Sequence, residues 1–357
     1  MRLAVVGAGP AGLAFASKIQ DADVFEEHEA VGVPRHCTSL VSAKSAEAVG
    51  IPKDVVVNKY EDLIITNLRE KIYFRVKGGV YLLDRPGLEQ KLAERVPKIH
   101  YGKKVVAVER GYVYTSDGGR YGPYHYVALA EGSARKLSSR YGHVVRLPGL
   151  QVDVKTATPP PGITVIYNQK ISKTYFAWVV EIDRGLYRVG LADSCCVVEK
   201  LRKLVKAVNG VPVGKPFGGG VLAGPPLKRL VHGRVMALGD AAGLVKPLSG
   251  GGIVLSTLSG TEAADALLRG DPYMYERRTY PLRVRLRASF HAFAVLYGMR
   301  LVDKLLEILD GGEYTAVDYD DHLKTLVIAA LTDPRAPKAL GALFQYLPRY
   351  RYISHFF

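Results

Sequence analysis

Three glycine-rich segments hold the residues in this sequence best suited to chemistry. Gly7-x-Gly9-Pro10-Ala11-Gly12 stands near the N-terminus, Gly239-Asp240-Ala241-Ala242-Gly243 far downstream, and Pro247 with Gly250-Gly251-Gly252-Ile253 just beyond it. In the first, the glycines allow a tight turn, close backbone approach to a pyrophosphate and close helix packing. The helix opening at Pro10 adds amide donors and a partial positive charge for the phosphates. The Asp240 carboxylate, after an apolar strand, either accepts hydrogen bonds from sugar or ribityl hydroxyls or caps the next helix. Three glycines ahead of a helix are either a hinge or a backbone bed for a flat ring. In the second case the positive helix end would stabilise negative charge on the ring edge. The first loop alone implies only a dinucleotide. Together the segments imply one extended cofactor gripped at both ends, an adenine dinucleotide that also carries a flavin ring.

The elements that must position these residues follow from the hydrophobic pattern. Leu3 to Val6 reads as a buried strand, Pro10 to Ile19 as a helix, and Asp23-Val24-Phe25 as the next strand. Glu26, with Glu27 beside it, closes this βαβ start where a ribose hydroxyl pair would lie. A helix is expected over 43–49. Strands follow at 63–65, 72–74 and 80–82, a helix over 85–96 with Leu88, Leu92 and Val96 on one stripe, and strands at 104–109, 112–115 and 126–130. Beyond a break at Pro159-Pro160-Pro161-Gly162, strands at 164–167, 175–182 and 186–191 suggest a mostly antiparallel sheet, followed by a helix over 197–208. The chain returns to a nucleotide-fold strand at 235–238, then a long helix to about Leu268, and reads as largely helical from Tyr273 on, with breaks near Gly311-Gly312 and Asp333-Pro334. The fold class is α/β. A Rossmann-type domain (1–60, 85–145 and 220–290) is interrupted by a mostly antiparallel β-sheet substrate domain (61–84 and 146–219), and 291–357 forms a helical C-terminal region.

Composition narrows the function classes. The 357 residues suffice for two domains, and 48% hydrophobic with 23% charged residues is ordinary globular usage. No apolar run reaches the ~18 residues of a membrane span, and a strand at residues 3–6 leaves no room for a signal peptide. The expected location is cytoplasmic, with peripheral contact at the inner membrane face as an option. The net charge of +15 suits either plain solubility or an anionic partner such as phospholipid headgroups or a phosphorylated substrate. No nucleic-acid module is present. Three cysteines, Cys37, Cys195 and Cys196, make neither a disulfide framework nor a metal site. Asparagine occurs only at Asn58, Asn67, Asn168 and Asn209, a scarcity that hints at a thermophile.

Four segments resemble the geranylgeranyl reductase family, within the p-hydroxybenzoate hydroxylase-like flavoprotein fold. They are the N-terminal loop with Glu26, Gly32-Val33-Pro34-Arg35-His36-Cys37, Phe176-Ala177-Trp178 followed by Gly190, and Gly239 through Ile253. Aromatic hydroxylases usually place a histidine where Gly243 stands, and the tryptophan pair of flavin halogenases is missing. The family's Phe-Pro and Gly-x-Gly are replaced by Val180-Glu181 and Gly190-Leu191-Ala192, positions that line its prenyl channel. Glu131-Gly132 replaces an Asp-Gly associated with cofactor handling.

The resemblance implies FAD as cofactor and no metal. It places Cys37 beside the flavin as proton donor or gating group, against the alternative of a small buried hydrophobe. Arg35 and His36 then hold pyrophosphate or ring carbonyls, unless their loop is merely solvated. Arg85 contacts the cofactor or pairs with Asp84 or Glu89. Val106 completes the expected cofactor contacts. Trp178 is a wall for an apolar ligand or core. Cys37, Trp178 and Gly251 are the expected catalytic positions. Cys195 and Cys196 are expected as reduced, partly buried thiols. Arg277, Arg278, Arg283, Arg285 and Arg287 form either a solvated face or a phosphate grip. Aromatics and arginines alternate from Phe344 to Phe357, as an interfacial anchor, a packed tail or a dimer contact would require. The implied activity is reduction of isoprenoid double bonds in geranylgeranyl lipids or prenyl diphosphates, with electrons from ferredoxin or NAD(P)H. A flavin monooxygenase and a non-catalytic prenyl-lipid carrier are the alternatives.

Overall fold

Strands buried on both faces carry the glycine loops. Leu3–Val6, Ala22–Phe25, Tyr126–Leu129 and Val235–Ala237 are short apolar runs, and all four pair in parallel. Such strands must be covered on both sides, which is why they read as continuous hydrophobic stretches. Ile99–His100 extends one edge in parallel and Val231–His232 the other edge antiparallel, making six strands among the described residues. The computed structural model describes residues 1–157, 160, 162–298, 301–317, 319–321 and 333–335.

Helix Pro10–Ala16 opens directly after the first loop and ends earlier than its apolar pattern suggests. It packs against the long helix Ile253–Leu268, where a Cβ on Gly260 would lie 2.2 Å from the carbonyl oxygen of Ala11. The nucleotide loop and the downstream Gly-rich segment are therefore drawn together by helix contact at backbone distance.

Among the described residues the second sheet has nine strands. Its main path runs Val211–Gly224, Val145–Lys155, Leu186–Ala192, Ala177–Asp183, Ile163–Ile166, Val56–Thr66, Lys71–Leu83 and Glu313–Val317, with Leu40–Ser42 also paired to Lys71–Leu83. Pairing is antiparallel except where Ile163–Ile166 meets Val56–Thr66 and where Glu313–Val317 meets Lys71–Leu83. Helix Val197–Ala207 covers one face through Leu201 and Leu204, which pack on Val152, Val189 and Leu191. Helices Tyr273–Gly298 and Leu301–Leu309 lie toward the other face.

Several elements differ from the sequence pattern. The three short strands expected between 63 and 82 are two long ones, Val56–Thr66 and Lys71–Leu83, joined as a bulged hairpin. Gly78 and Gly79, at φ +79° and +86°, interrupt the side-chain alternation that would have revealed the second one. Val145–Lys155 and Val211–Gly224 were not expected as strands. The latter contains Gly218-Gly219-Gly220, which offers no side-chain periodicity, and a Cβ on Gly218 would lie 2.1 Å from the Gly149 carbonyl oxygen. The C-terminal region adds a strand, Glu313–Val317, to its helices. Leu40–Ser42 and the start of Val56–Thr66, up to residue 60, belong to the large sheet, whereas the expected bounds put 1–60 in the nucleotide domain. Pro159, Pro161 and the aromatic–arginine tail from Phe344 lie outside the described residues.

One ionic knot pins the nucleotide sheet. Asp23, 4% exposed, accepts from Lys98 Nζ (2.5 Å), Tyr124 Oη (2.8 Å), His100 Nε2 (2.9 Å) and Arg2 Nη2 (3.2 Å). Burial opposes the charge, but these partners outweigh it and hold the carboxyl well below the usual range. A depressed carboxyl contributes stability above its unfolded pKa and loses it as pH falls. Urea denaturation of the protein is expected to show falling stability below about pH 4. Asp23→Asn should cost about 2 kcal/mol at neutral pH and flatten that acid limb.

Candidate functional site

A single cavity of about 480 Å³ connects the glycine loops to the large sheet. At one end it is lined by Gly9, Pro10, Ala11, Arg85, Asp240 and the run Gly250 to Ile253. The first loop needs its glycines. Gly7 sits at φ +98°, where a Cβ would lie 2.5 Å from the Ala130 carbonyl oxygen, whereas Gly9 faces open space. Gly252 is the N-cap of Ile253–Leu268 and supplies no side-chain cap, so that helix leaves its first amides to other partners. A Cβ on Gly252 would lie 2.6 Å from Asp240 Oδ1.

Asp240 is the chemical centre of this end. Its Oδ1 is buried with no hydrogen-bond partner among the described residues. Burial raises its pKa, against the opposing pull of Arg85 and Arg135. Arg135, itself buried, donates to the backbone carbonyls of Asp240 and Ala241 and to Gly142 O (2.9 Å), and so fixes the turn. Arg85 lines the cavity and pairs with Glu89, which is 5% exposed, so this ion pair is interior rather than on the surface. Burial works against the Arg85 charge, but Glu89, Cys37 and Asp240 more than restore it and raise its pKa.

Glu26 turns inward. Its Oε2 accepts from Ala8 N at 2.8 Å, and its Oε1 accepts from His28 N at 3.0 Å and meets His28 Nδ1 at 2.6 Å. Glu27 instead points outward to Lys104 (2.6 Å), a contact that lowers its pKa. Just past the end of the strand Ala22–Phe25, only one of these two carboxylates reaches the loop. Val106 is 51% exposed on Val105–Glu109, and its side chain does not reach the cavity. Arg35 is exposed and also outside the lining, while His36 and Cys37 are within it. Gly7, Gly12, Gly239 and Pro247 are not among the lining residues. The Pro247 carbonyl accepts from Tyr175 Oη, a lining residue, at 2.8 Å.

These residues suit FAD. The unpartnered buried carboxylate oxygen can accept a hydroxyl, the glycine segments admit a flat ring and a pyrophosphate at backbone distance, and the cationic Arg85 lines the same cavity. Cys37 Sγ accepts from Ser39 N at 3.2 Å and faces the same space.

Beyond the cofactor end the wall becomes aromatic and apolar. Trp178 lines it, with Nε1 donating to Gln151 Oε1 at 3.2 Å. A Cβ on Gly190 would lie 2.5 Å from this indole. Tyr167, Tyr175, Phe176 and Tyr297 continue the wall, with Tyr175 stacked on Phe176 at 4.4 Å. Burial pushes the Tyr175 and Tyr297 phenols well above their ordinary range and Tyr167 up to about 12, so the wall stays uncharged.

The sequence reading passed over two residues. Gln151 also accepts from Thr38 Oγ1 (2.9 Å) and donates to His36 O (3.2 Å), which locks the Cys37 loop against Trp178. It sits mid-strand among apolar residues, where one amide gives no motif. Lys246 lines the cavity, pairs with Asp320 Oδ1 at 3.0 Å and lies 4.7 Å from the Tyr319 ring centroid. Its position within the Gly-rich segment was the available signal.

The arginine run is structural. Arg277 pairs with Asp271 and Arg278 with Glu262, while Arg283 and Arg287 donate to backbone carbonyls of Lys228 and Leu227. None lines the cavity, and Arg285 is exposed. Cys195 and Cys196 are free and exposed rather than partly buried, with their sulfurs 3.1 Å apart. Among the described residues no cluster of His, Cys, Asp and Glu could hold a metal ion, and no helix is long and apolar enough to cross a membrane.

No family model matches the sequence. Digeranylgeranylglycerophospholipid reductase 1 of Methanothermobacter thermautotrophicus is 27% identical, over 95% of this chain and 97% of its own length. A geranylgeranyl bacteriochlorophyll reductase-like structure from Thermoplasma acidophilum superimposes with a TM-score of 0.78 at 19% identity, covering 96% of this chain and 98% of that one. The flavin-dependent brominase Bmp2 shares the fold with a TM-score of 0.63 at 13% identity, over 85% and 92% of the two chains.

Removing the Asp240 carboxylate tests the cofactor end. Asp240→Ala forfeits a charged hydrogen bond worth about 1.5–3 kcal/mol. The purified variant should bind FAD on the order of tenfold to a hundredfold more weakly, read from visible flavin absorbance per protein.

Proposed function

We propose that the chain is a member of the geranylgeranyl reductase family of FAD-dependent oxidoreductases and that it reduces isolated double bonds in isoprenoid chains of lipids or prenyl diphosphates. One observation carries this reading: the cavity that begins at Asp240 and the Gly250–Ile253 run continues without interruption into an apolar space of the large sheet. A long hydrocarbon fits such a space, because each buried CH2 contributes about 0.8 kcal/mol and needs no polar partner.

FAD, when bound, supplies the hydride. The residues of this chain supply orientation, dryness and a proton. An isolated alkene is a poor acceptor, so holding it in the reacting geometry is the main contribution of the protein. Trp178, fixed by Gln151 and seated on Gly190, orients the chain from one side. The aromatic wall of Tyr175, Phe176 and Tyr297 excludes water. Cys37 faces the cavity and donates the proton to the second carbon, with its loop held by the Gln151–Thr38 and Gln151–His36 contacts. Gly251 keeps the ring bed free of side chains. The electrons come from a reduced carrier, ferredoxin or NAD(P)H, and the lipid substrate implies peripheral contact with a membrane surface.

Anaerobic incubation of dithionite-reduced holoenzyme with geranylgeranyl lipids, followed by mass spectrometry, decides the matter. The expected product gains two hydrogen atoms per reduced bond. Gain of an oxygen atom in air, or an unchanged lipid with tight binding, would overturn the reading in favour of hydroxylation or carriage. Cys37→Ala should lower the rate by on the order of a hundredfold with little change in lipid affinity.

A further inference from the structure

Beside the Gly250–Gly252 run the cavity is polar. A Cβ on Gly251 would lie 2.8 Å from Lys246 Cε, 3.4 Å from Lys246 Nζ and 3.5 Å from Ser249 Oγ. An ammonium and a hydroxyl therefore border the space that this glycine leaves empty, and both residues line the cavity. The turn enforces the arrangement. Lys246 N donates to Gly251 O at 3.0 Å, while Lys246 O accepts from Gly250 N at 2.8 Å and from Ser249 N at 3.2 Å. The segment thus closes on itself and brings the Lys246 stem back against Gly251.

Neither side-chain group is consumed in holding the turn. Ser249 Oγ is buried with no hydrogen-bond partner among the described residues. Lys246 Nζ donates to Asp320 Oδ1 at 3.0 Å and stands 4.7 Å from the Tyr319 ring centroid. An ammonium carries three N–H donors, so this contact does not exhaust it. The Lys246 side chain is 13% exposed, and little water screens its charge. Burial opposes the Asp320 charge, but Lys246, Ser42 and Ser45 outweigh it and hold that carboxyl below its usual range. A carboxylate from the C-terminal region therefore fixes the lysine beside Gly251.

Helix Ile253–Leu268 begins at the same place, and its N-cap Gly252 offers its first amides no side-chain partner. An uncapped helix end, a buried hydroxyl and an ammonium thus converge as three sources of positive potential on one glycine run. A group that gains electrons there gains negative charge, and a cation in a dry site favours the charged state. We propose that Lys246 sets the redox poise of the bound flavin. Its ammonium favours the reduced, negatively charged state, Ser249 adds a neutral donor at the same edge, and Asp320 moderates the effect by sharing the charge. The consequence is easier loading of the cofactor by its electron donor. The proposal rests on FAD lying with its ring on Gly250–Gly252 and is independent of the substrate.

The test is the midpoint potential of purified holoenzyme at neutral pH, read by anaerobic equilibration with reference dyes, with FAD content followed in parallel by visible absorbance per protein. Lys246→Met keeps the apolar stem and removes the charge. It should disfavour the reduced state by on the order of tenfold, a fall of about 30 mV for two electrons. Lys246→Arg keeps the charge and should stay near the native potential. Asp320→Asn leaves the ammonium unopposed and should move the potential in the opposite direction, upward. Loss of packing alone would not give opposite signs at two residues that touch each other. If both variants retain FAD and the potential stays at the native value, or moves the same way in both, this inference falls and the FAD assignment stands. Should Lys246→Met fail to fold or to hold FAD, Asp320→Asn decides, and an unchanged or lowered potential overturns the proposal. If the native protein takes up no FAD, the cofactor reading fails with it.

Discussion

Close approach of backbone to backbone around one buried carboxylate is the constraint on which the rest depends. Asp240 Oδ1 is buried with no partner among the described residues, and Gly252 cannot carry a Cβ beside it. The Gly7 loop and the Gly250–Gly252 run must also meet the same cavity. Helix Pro10–Ala16 and helix Ile253–Leu268 enforce this by packing through Gly260. A buried acceptor without a partner is costly in an empty protein. It becomes favourable when a hydroxyl-bearing cofactor satisfies it. Stability given up at this point is thus recovered on binding, which ties the fold of the nucleotide half to FAD.

The large sheet answers a different physical demand. A hydrocarbon chain offers no hydrogen bonds, so its recognition has to come from shape and dryness. The alternating strands provide both, since one side packs on helix Val197–Ala207 and the other faces the cavity. The two halves meet where Tyr175 donates to Pro247 and where Gln151 bridges Trp178 to the loop of His36 and Cys37. These few polar contacts align an apolar space with a polar cofactor end. Among the polar groups of that wall, Tyr175 and Gln151 make the contacts that position it.

Lys246 illustrates how the C-terminal region is drawn into the site. Its ammonium joins the Gly-rich segment to Asp320, and Asp320 also accepts from Ser45 on helix Ala43–Ala48. Tyr319 and Tyr314, both from the region expected to be helical, line the cavity. A segment distant in sequence thereby completes the wall that the nucleotide half cannot close alone.

The sequence by itself determined the nucleotide fold and its cofactor class. Gly7, Gly9, Gly12, Glu26, Asp240 and the Gly250–Gly252 run announce themselves because they serve local backbone geometry, and local geometry is written in short spacings. The strand–helix–strand start and the long helix after Gly252 were legible for the same reason. Tertiary structure decided what depends on contacts between distant strands. Gln151, Phe74 and Tyr314 carry no motif, and only sheet register places them in one cavity. Contacts with Ala8 N and Lys104 set Glu26 inward and Glu27 outward, and helix packing turned the arginine run into a scaffold away from the cavity. The Gly218–Gly220 strand was hidden because glycine leaves no periodic side-chain signal, although its place in the sheet requires that very absence.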